Sequence, residues 1–309
     1  MADKAEKKDR RERVAWELDR RRRLAVPALA GGVLYMLGAV TTSSGLSNAP
    51  TVGLLQGLHY ALHGVKTPSE SPKVALLRYV SNQSGTLIAG ALMTSVAIVA
   101  LMLVLLFLAS ATKYRRPSMF SWIRLLILYG GFALALAGLA HWIFYAVETH
   151  NFISSSDHSV AASETVLTGT SVQIVGSIAI FGGLFFAVGM VMLLINTQRV
   201  GLLPRWMAML GMFAGLLIFL PLGGAQLQAV PALWLVFTGV LFLEKWPSGD
   251  PPAWQAGEAV PWPPGGRRGQ QAGTPARGGR AKPAPEPQPA PEPQPVGAGG
   301  GSRKRRKRR

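Results

Sequence analysis

The chain has 309 residues, of which 49% are hydrophobic, yet it carries a formal charge of +17. A soluble domain places charges on about a quarter of its positions, whereas residues 24–247 hold only ten Lys/Arg and five Asp/Glu, so this stretch is not built to face water. The chain has no cysteine, which excludes disulfides, thiolate metal sites, thiol nucleophiles and cysteine lipidation.

Residues 1–23 form a basic segment, with ten Lys/Arg against six Asp/Glu, ending in Arg20–Arg23. Six apolar runs follow, each near the length that a ~30 Å hydrocarbon core demands. They cover Leu24–Thr42, Gly85–Ala111, Leu125–Val147, Val172–Ile195, Trp206–Leu222 and Leu227–Leu243. The second is unbroken by charge, and the sixth is short with Pro231 near its start. No small-residue cleavage site follows the first run, which is therefore expected to be retained as a span rather than removed as a signal peptide. The predicted fold class is all-α: a polytopic transmembrane bundle of six spans over residues 24–246, with a disordered C-terminal tail over 247–309.

The distribution of Lys and Arg predicts the orientation. Arg20–Arg23 abut the first span, Lys113, Arg115, Arg116 and Arg124 follow the second, and Arg199 and Arg205 follow the fourth. Residues 148–171 hold three acidic residues and no Lys or Arg. Both termini are thus expected on the cytoplasmic side of a cell membrane.

The first outer loop, residues 43–84, is too long for a plain connection. In TVGLLQGLHYALHGVK, Leu54, Leu55, Leu58, Leu62 and Val65 share one helical stripe, opposite Gln56, His59, Tyr60 and His63, which predicts a helix lying on the outer surface. Ser71 then offers an N-cap with Pro72 at the first helical position.

From Pro247 onward the composition is low in complexity, with PAPEPQ twice in tandem, and it reads as a disordered linker. It ends in seven cations: Arg303, Lys304, Arg305, Arg306, Lys307, Arg308 and Arg309. Such a run would neutralise phosphates of either nucleic acid or lipid. It lacks interleaved aromatics for base stacking, and it is tethered beside a leaflet expected to be anionic. Anionic inner-leaflet lipids therefore rank ahead of nucleic acid as its partner; no protein partner is indicated.

No Asp, Glu or Lys lies within the apolar interior of a span, which weighs against ion-coupled transport. No phosphate-binding loop, nucleophile elbow or kinase signature occurs. All five histidines fall on the predicted outer side. His59 and His63, four apart on one helical face, together with His141, form the candidate zinc or copper ligands. Without a third converging ligand the same residues are ordinary polar-face side chains. Glycines within the spans, Gly211 and Gly215 among them, are expected to serve packing inside the chain.

At Gly201, Leu202, Leu203, Pro204, Arg205 and Trp206, followed by a glycine-spaced span, the chain resembles multi-pass bacterial membrane proteins, many of them actinobacterial, a family without an assigned biochemical role. The resemblance implies a multi-pass fold over about residues 24–245 and carries no site residue. The functional expectation is a non-enzymatic membrane anchor, scaffold or sensor component, with no cofactor. A small-molecule transporter or channel, and an outer-face metal-binding protein, are the competing classes.

Overall fold

The computed structural model describes residues 2–50, 71, 73–220, 225–247 and 249–261, all of them within a unit that spans Met1–Gly266. Every regular element among the described residues is helical. The long ones are α1 (Ala2–Leu46), α3 (Ser84–Arg115), α4 (Trp122–Ser154) and α6 (Thr170–Val200); α7 (Arg205–Phe219) and α8 (Ala225–Phe242) are shorter. Three small helices accompany them: α2 (Val74–Asn82), α5 (Val160–Thr168) and α9 (Pro252–Ala256).

Helix α1 joins the basic segment and the first apolar run into one element of 45 residues. Its polar half is supported by pairs four apart, Lys8–Glu12 at 3.8 Å, Arg13–Glu17 at 3.3 Å and Arg23–Asp19 at 3.0 Å. Pro27 sits inside the helix near the junction of the two halves, where the Arg23 carbonyl loses its usual donor. Four helices are long and apolar enough to cross a membrane: α1, α3, α4 and α6, the last together with the α5 that precedes it. At 15 and 18 residues, α7 and α8 are ~22 and ~27 Å long.

The six larger helices form a closed circle. Each packs on the next in chain order, and α8 returns to pack against α1. Small residues set the closest approaches. A Cβ on Gly38 of α1 would fall 2.8 Å from the Gly90 carbonyl oxygen of α3, and one on Gly130 of α4 would fall 2.6 Å from the Phe186 amide of α6. Hydroxyls add cross-links: Thr112 Oγ1 and Thr197 Oγ1 lie 3.1 Å apart, and Ser95 Oγ donates to the Ala135 carbonyl at 2.8 Å. Gly211 and Gly215 also face inward, against Trp234 and Leu194 and against Met190, in keeping with packing inside the chain.

The main core fills one half of the circle, with Leu101, Met102, Leu105, Phe186, Met190 and Trp234 at its centre. The outward faces carry exposed hydrophobic side chains: Tyr129 is 67% exposed, Leu136 66% and Ile180 62%, which is compatible with lipid-facing positions. Arg115, Arg116, Arg205, Lys245 and the polar half of α1 gather at one end of the circle, called the basic end below. At the opposite end α2 and α5 cap the bundle. Ser71 Oγ lies 2.8 Å from Ser163 Oγ and accepts the Lys73 amide at 3.2 Å. Helix α2 then starts at Val74 with Lys73 as its N-cap residue, two positions beyond the expected Ser71 cap.

One expectation is corrected. The chain does not become unstructured at Pro247: residues 249–261 fold back under the basic end, carry α9, and bury Ala253 and Trp254. The predicted outer helix over 54–65 and the chain beyond 261 lie outside the described residues.

Candidate functional site

The stretch DPPAWQAGEAV contains its own start and stop signals. Pro251 and Pro252 have the fixed φ that suits entry to a helical turn, and Gly257 ends it at φ 67°, in the left-handed region that favours glycine. This single turn presents Trp254 to the bundle, where it is 3% exposed. Its indole N–H donates to the Leu202 carbonyl at 2.9 Å. One face stacks on Phe107, with centroids 5.9 Å apart and planes within 4°.

Two guanidinium groups close over the same indole, Arg21 at 4.6 Å and Arg115 at 5.3 Å from its centroid. Neither cation is left uncompensated. Arg115 grips both carboxylate oxygens of Glu17 and donates to the Ala253 carbonyl from Nε at 3.2 Å and Nη2 at 2.9 Å. Arg21 reaches Asp250 at 3.2 and 3.3 Å and the Leu241 carbonyl at 2.9 Å. Beside it a cavity of about 160 Å³, lined in part by Glu17, Glu244, Asp250 and Gln255, has room for the water that the unpartnered Arg21 Nε calls for. Further out, Arg10 pairs with Glu258 at 2.8 Å and Arg22 with Glu244 at 3.3 Å.

The last tie is to backbone. The Val260 amide donates to the Val200 carbonyl at 3.2 Å, beside Gly201. Gly201 has φ 79°, and a Cβ there would lie 1.9 Å from the Val260 carbonyl oxygen, so glycine is required both by conformation and by space. The result is a clamp: α1 and α3 supply arginines and a carboxylate, and the segment after α8 supplies a tryptophan, an aspartate and the Ala253 carbonyl.

Of the three predicted metal ligands, only His141 is among the described residues. His141, half-buried on α4, stacks near Tyr145 with centroids 6.2 Å apart and has no partner for Nδ1. Among the described residues no group of three or more His, Asp or Glu side chains converges. His59, His63 and the Arg303–Arg309 cluster lie outside the described residues. On the exposed turn before α5, the Ser159 amide donates to Asp157 at 2.9 Å and, with the Ser159 hydroxyl and the neighbouring His158, holds that carboxyl below its ordinary range.

Sequence reasoning missed the clamp. The available signal was a lone tryptophan between a proline pair and a glycine, with two of the tail's four acidic residues, Asp250 and Glu258, close by. The fold defines an all-helical bundle with four helices able to cross a membrane. No protein-family model, curated protein or solved structure matches the chain.

Proposed function

We propose that the chain is a six-span integral protein of the cell membrane, with both termini on the cytoplasmic side, that acts without catalysis as an anchor or scaffold for its own basic extension. The observation that carries this reading is the clamp. Arg21 and Arg115 hold residues 250–254 against α1 and α3, so the chain after residue 261 departs from a fixed point beside the end of α6.

Helix length and composition support four of the proposed spans. The proposed fifth and sixth are α7 and α8, which complete the circle. Trp206 and Trp246 stack with centroids 5.6 Å apart at the basic end, where an interfacial aromatic belt belongs. The gathering of arginines at that end supports a cytoplasmic placement for it. The Arg303–Arg309 cluster then engages anionic lipids of the inner leaflet, at about 1 kcal/mol per cation.

The test uses the full-length chain in its native membrane, with a photoreactive residue at position 306. Capture of phosphatidylglycerol or cardiolipin that disappears in high salt is the expected result. Capture of RNA, or of no anionic lipid, overturns the reading.

A further inference from the structure

The half of the circle away from the arginines is not filled. A cavity of about 610 Å³ lies there between α1, α3, α4, α7 and α8, within the range of small-molecule sites. A small cluster containing Tyr35, Ala97, Ile98, Ala135 and Ala232 forms its floor, at about the middle of the apolar part of α1. The main core continues beneath, so the cavity is a dead end and not a passage.

Its lining is mainly apolar, and its polar part is uncharged among the described residues. Tyr35, Thr42, Ser43, Thr94, Gln228 and Trp142 contribute hydroxyl, amide and indole groups, and no Asp, Glu, Lys, Arg or His lines it among the described residues. Apolar wall comes from Ile98, Leu134 and Ile218. Tyr35 is 3% exposed, and among the described residues no hydrogen bond engages its hydroxyl, the Thr42 hydroxyl or the Gln228 amide. Tyr35 is buried, so leaving its hydroxyl uncommitted inside an apolar bundle is costly unless something else satisfies it, whereas Thr42 and Gln228 are half-buried. Among the described lining residues no side chain could pair an ionic head group, which favours an uncharged occupant, because a buried charge needs a partner.

We propose that this cavity is a binding site for an uncharged amphiphile of drug size, whose apolar body rests on Ile98, Leu134 and Ile218, with one hydroxyl, amide or carbonyl group meeting Tyr35 at the floor and another meeting Thr42 or Gln228 further along the cavity. The site goes beyond the scaffold reading and does not depend on the basic extension. Gly138 provides a clean way to close it. A Cβ there meets nothing within 4 Å, so a larger side chain enters the open space. Replacing a mid-helix glycine also favours the helix.

The experiment is a binding titration on the full chain in lipid nanodiscs, with empty nanodiscs as background. The probe is a neutral acyl-dimethylaminonaphthalene, and anilinonaphthalene sulfonate serves as the anionic comparison. Wild type should bind the neutral probe saturably at one per chain and the anionic dye at least tenfold more weakly. Gly138→Leu should weaken the neutral probe at least tenfold with no fall in melting temperature, and Tyr35→Phe should weaken it about threefold to tenfold. Should Gly138→Leu fail to fold, Tyr35→Phe alone decides. Equal affinity of the intact, folded variants and wild type, or equal binding of the two dyes, overturns the proposal.

Discussion

Arg115 holds the two carboxylate oxygens of Glu17 at 2.9 and 2.7 Å, 98 positions apart in the chain, with the side chains 0% and 1% exposed. Breaking a buried ion pair by removing one partner strands a charge, whereas replacing both partners together does not. Glu17→Met and Arg115→Met should therefore each cost about 3 kcal/mol. The double variant should recover a large part of that loss. Thermal unfolding in detergent, arranged as a double-mutant cycle, measures the coupling; purely additive losses would show that the pair is not the working unit.

Gly201 should tolerate no side chain. Left-handed backbone costs a non-glycine residue about 1–2 kcal/mol, and at this position the Val260 carbonyl also occupies the space a Cβ needs. In Gly201→Val, amide exchange over residues 250–260 should accelerate at least tenfold. Gly176→Ala, where a Cβ meets nothing within 4 Å, should leave it unchanged.

Gly38 and Gly90 should be far less replaceable than their helical neighbours, since each presses its partner's backbone. Overpacking a tight contact costs about 1–3 kcal/mol. Gly38→Leu and Gly90→Leu should lower the melting temperature measurably, and Gly176→Leu should not. Equal tolerance at all three would place α1 and α3 further apart than described.

The orientation is open to direct labelling, because the chain has no cysteine of its own. Ser155 and Ser118 are exposed at opposite ends of α4. In intact cells a membrane-impermeant thiol reagent should modify Ser155→Cys and spare Ser118→Cys until the membrane is opened. The reverse pattern would invert the proposed topology.

The candidate metal ligands have their own check. If His59, His63 and His141 hold zinc or copper, the purified protein carries close to one metal ion per chain, and the triple alanine variant carries none. The same content in both proteins removes those residues as ligands.

What could be read from the sequence followed the nature of each signal. Hydropathy over about 20 residues marks helices that cross a membrane, and α1, α3, α4 and α6 are the four with length to spare. Run length could not fix where α7 and α8 end. Gly211 and Gly215 were legible as packing contacts because small residues on one helix face have few other uses; which side chain each meets, Trp234 or Met190, depends on helices distant in sequence. The clamp was illegible for a related reason. A Pro/Gly-rich window averages away a single tryptophan, and nothing near Ala253 announces that Arg115 will bond its carbonyl. The cavity belongs to five helices at once, so no local pattern encodes it.

The contact between α1 and α8 joins the first and last of the large helices. A ribosome makes them in the order that leaves this seam until the end. Until Phe242 has emerged, Gly32 of α1 has no Val236 to pack against, and Gly239 has not yet met Leu29. Arg21 waits longer still, for Asp250 and Trp254. A nascent chain therefore holds one flank of its first helix uncovered, and Arg21 without its carboxylate and indole, through most of its synthesis. Any premature stop leaves both exposed, a lesion that insertion machinery and membrane proteases can recognise without reading what is missing.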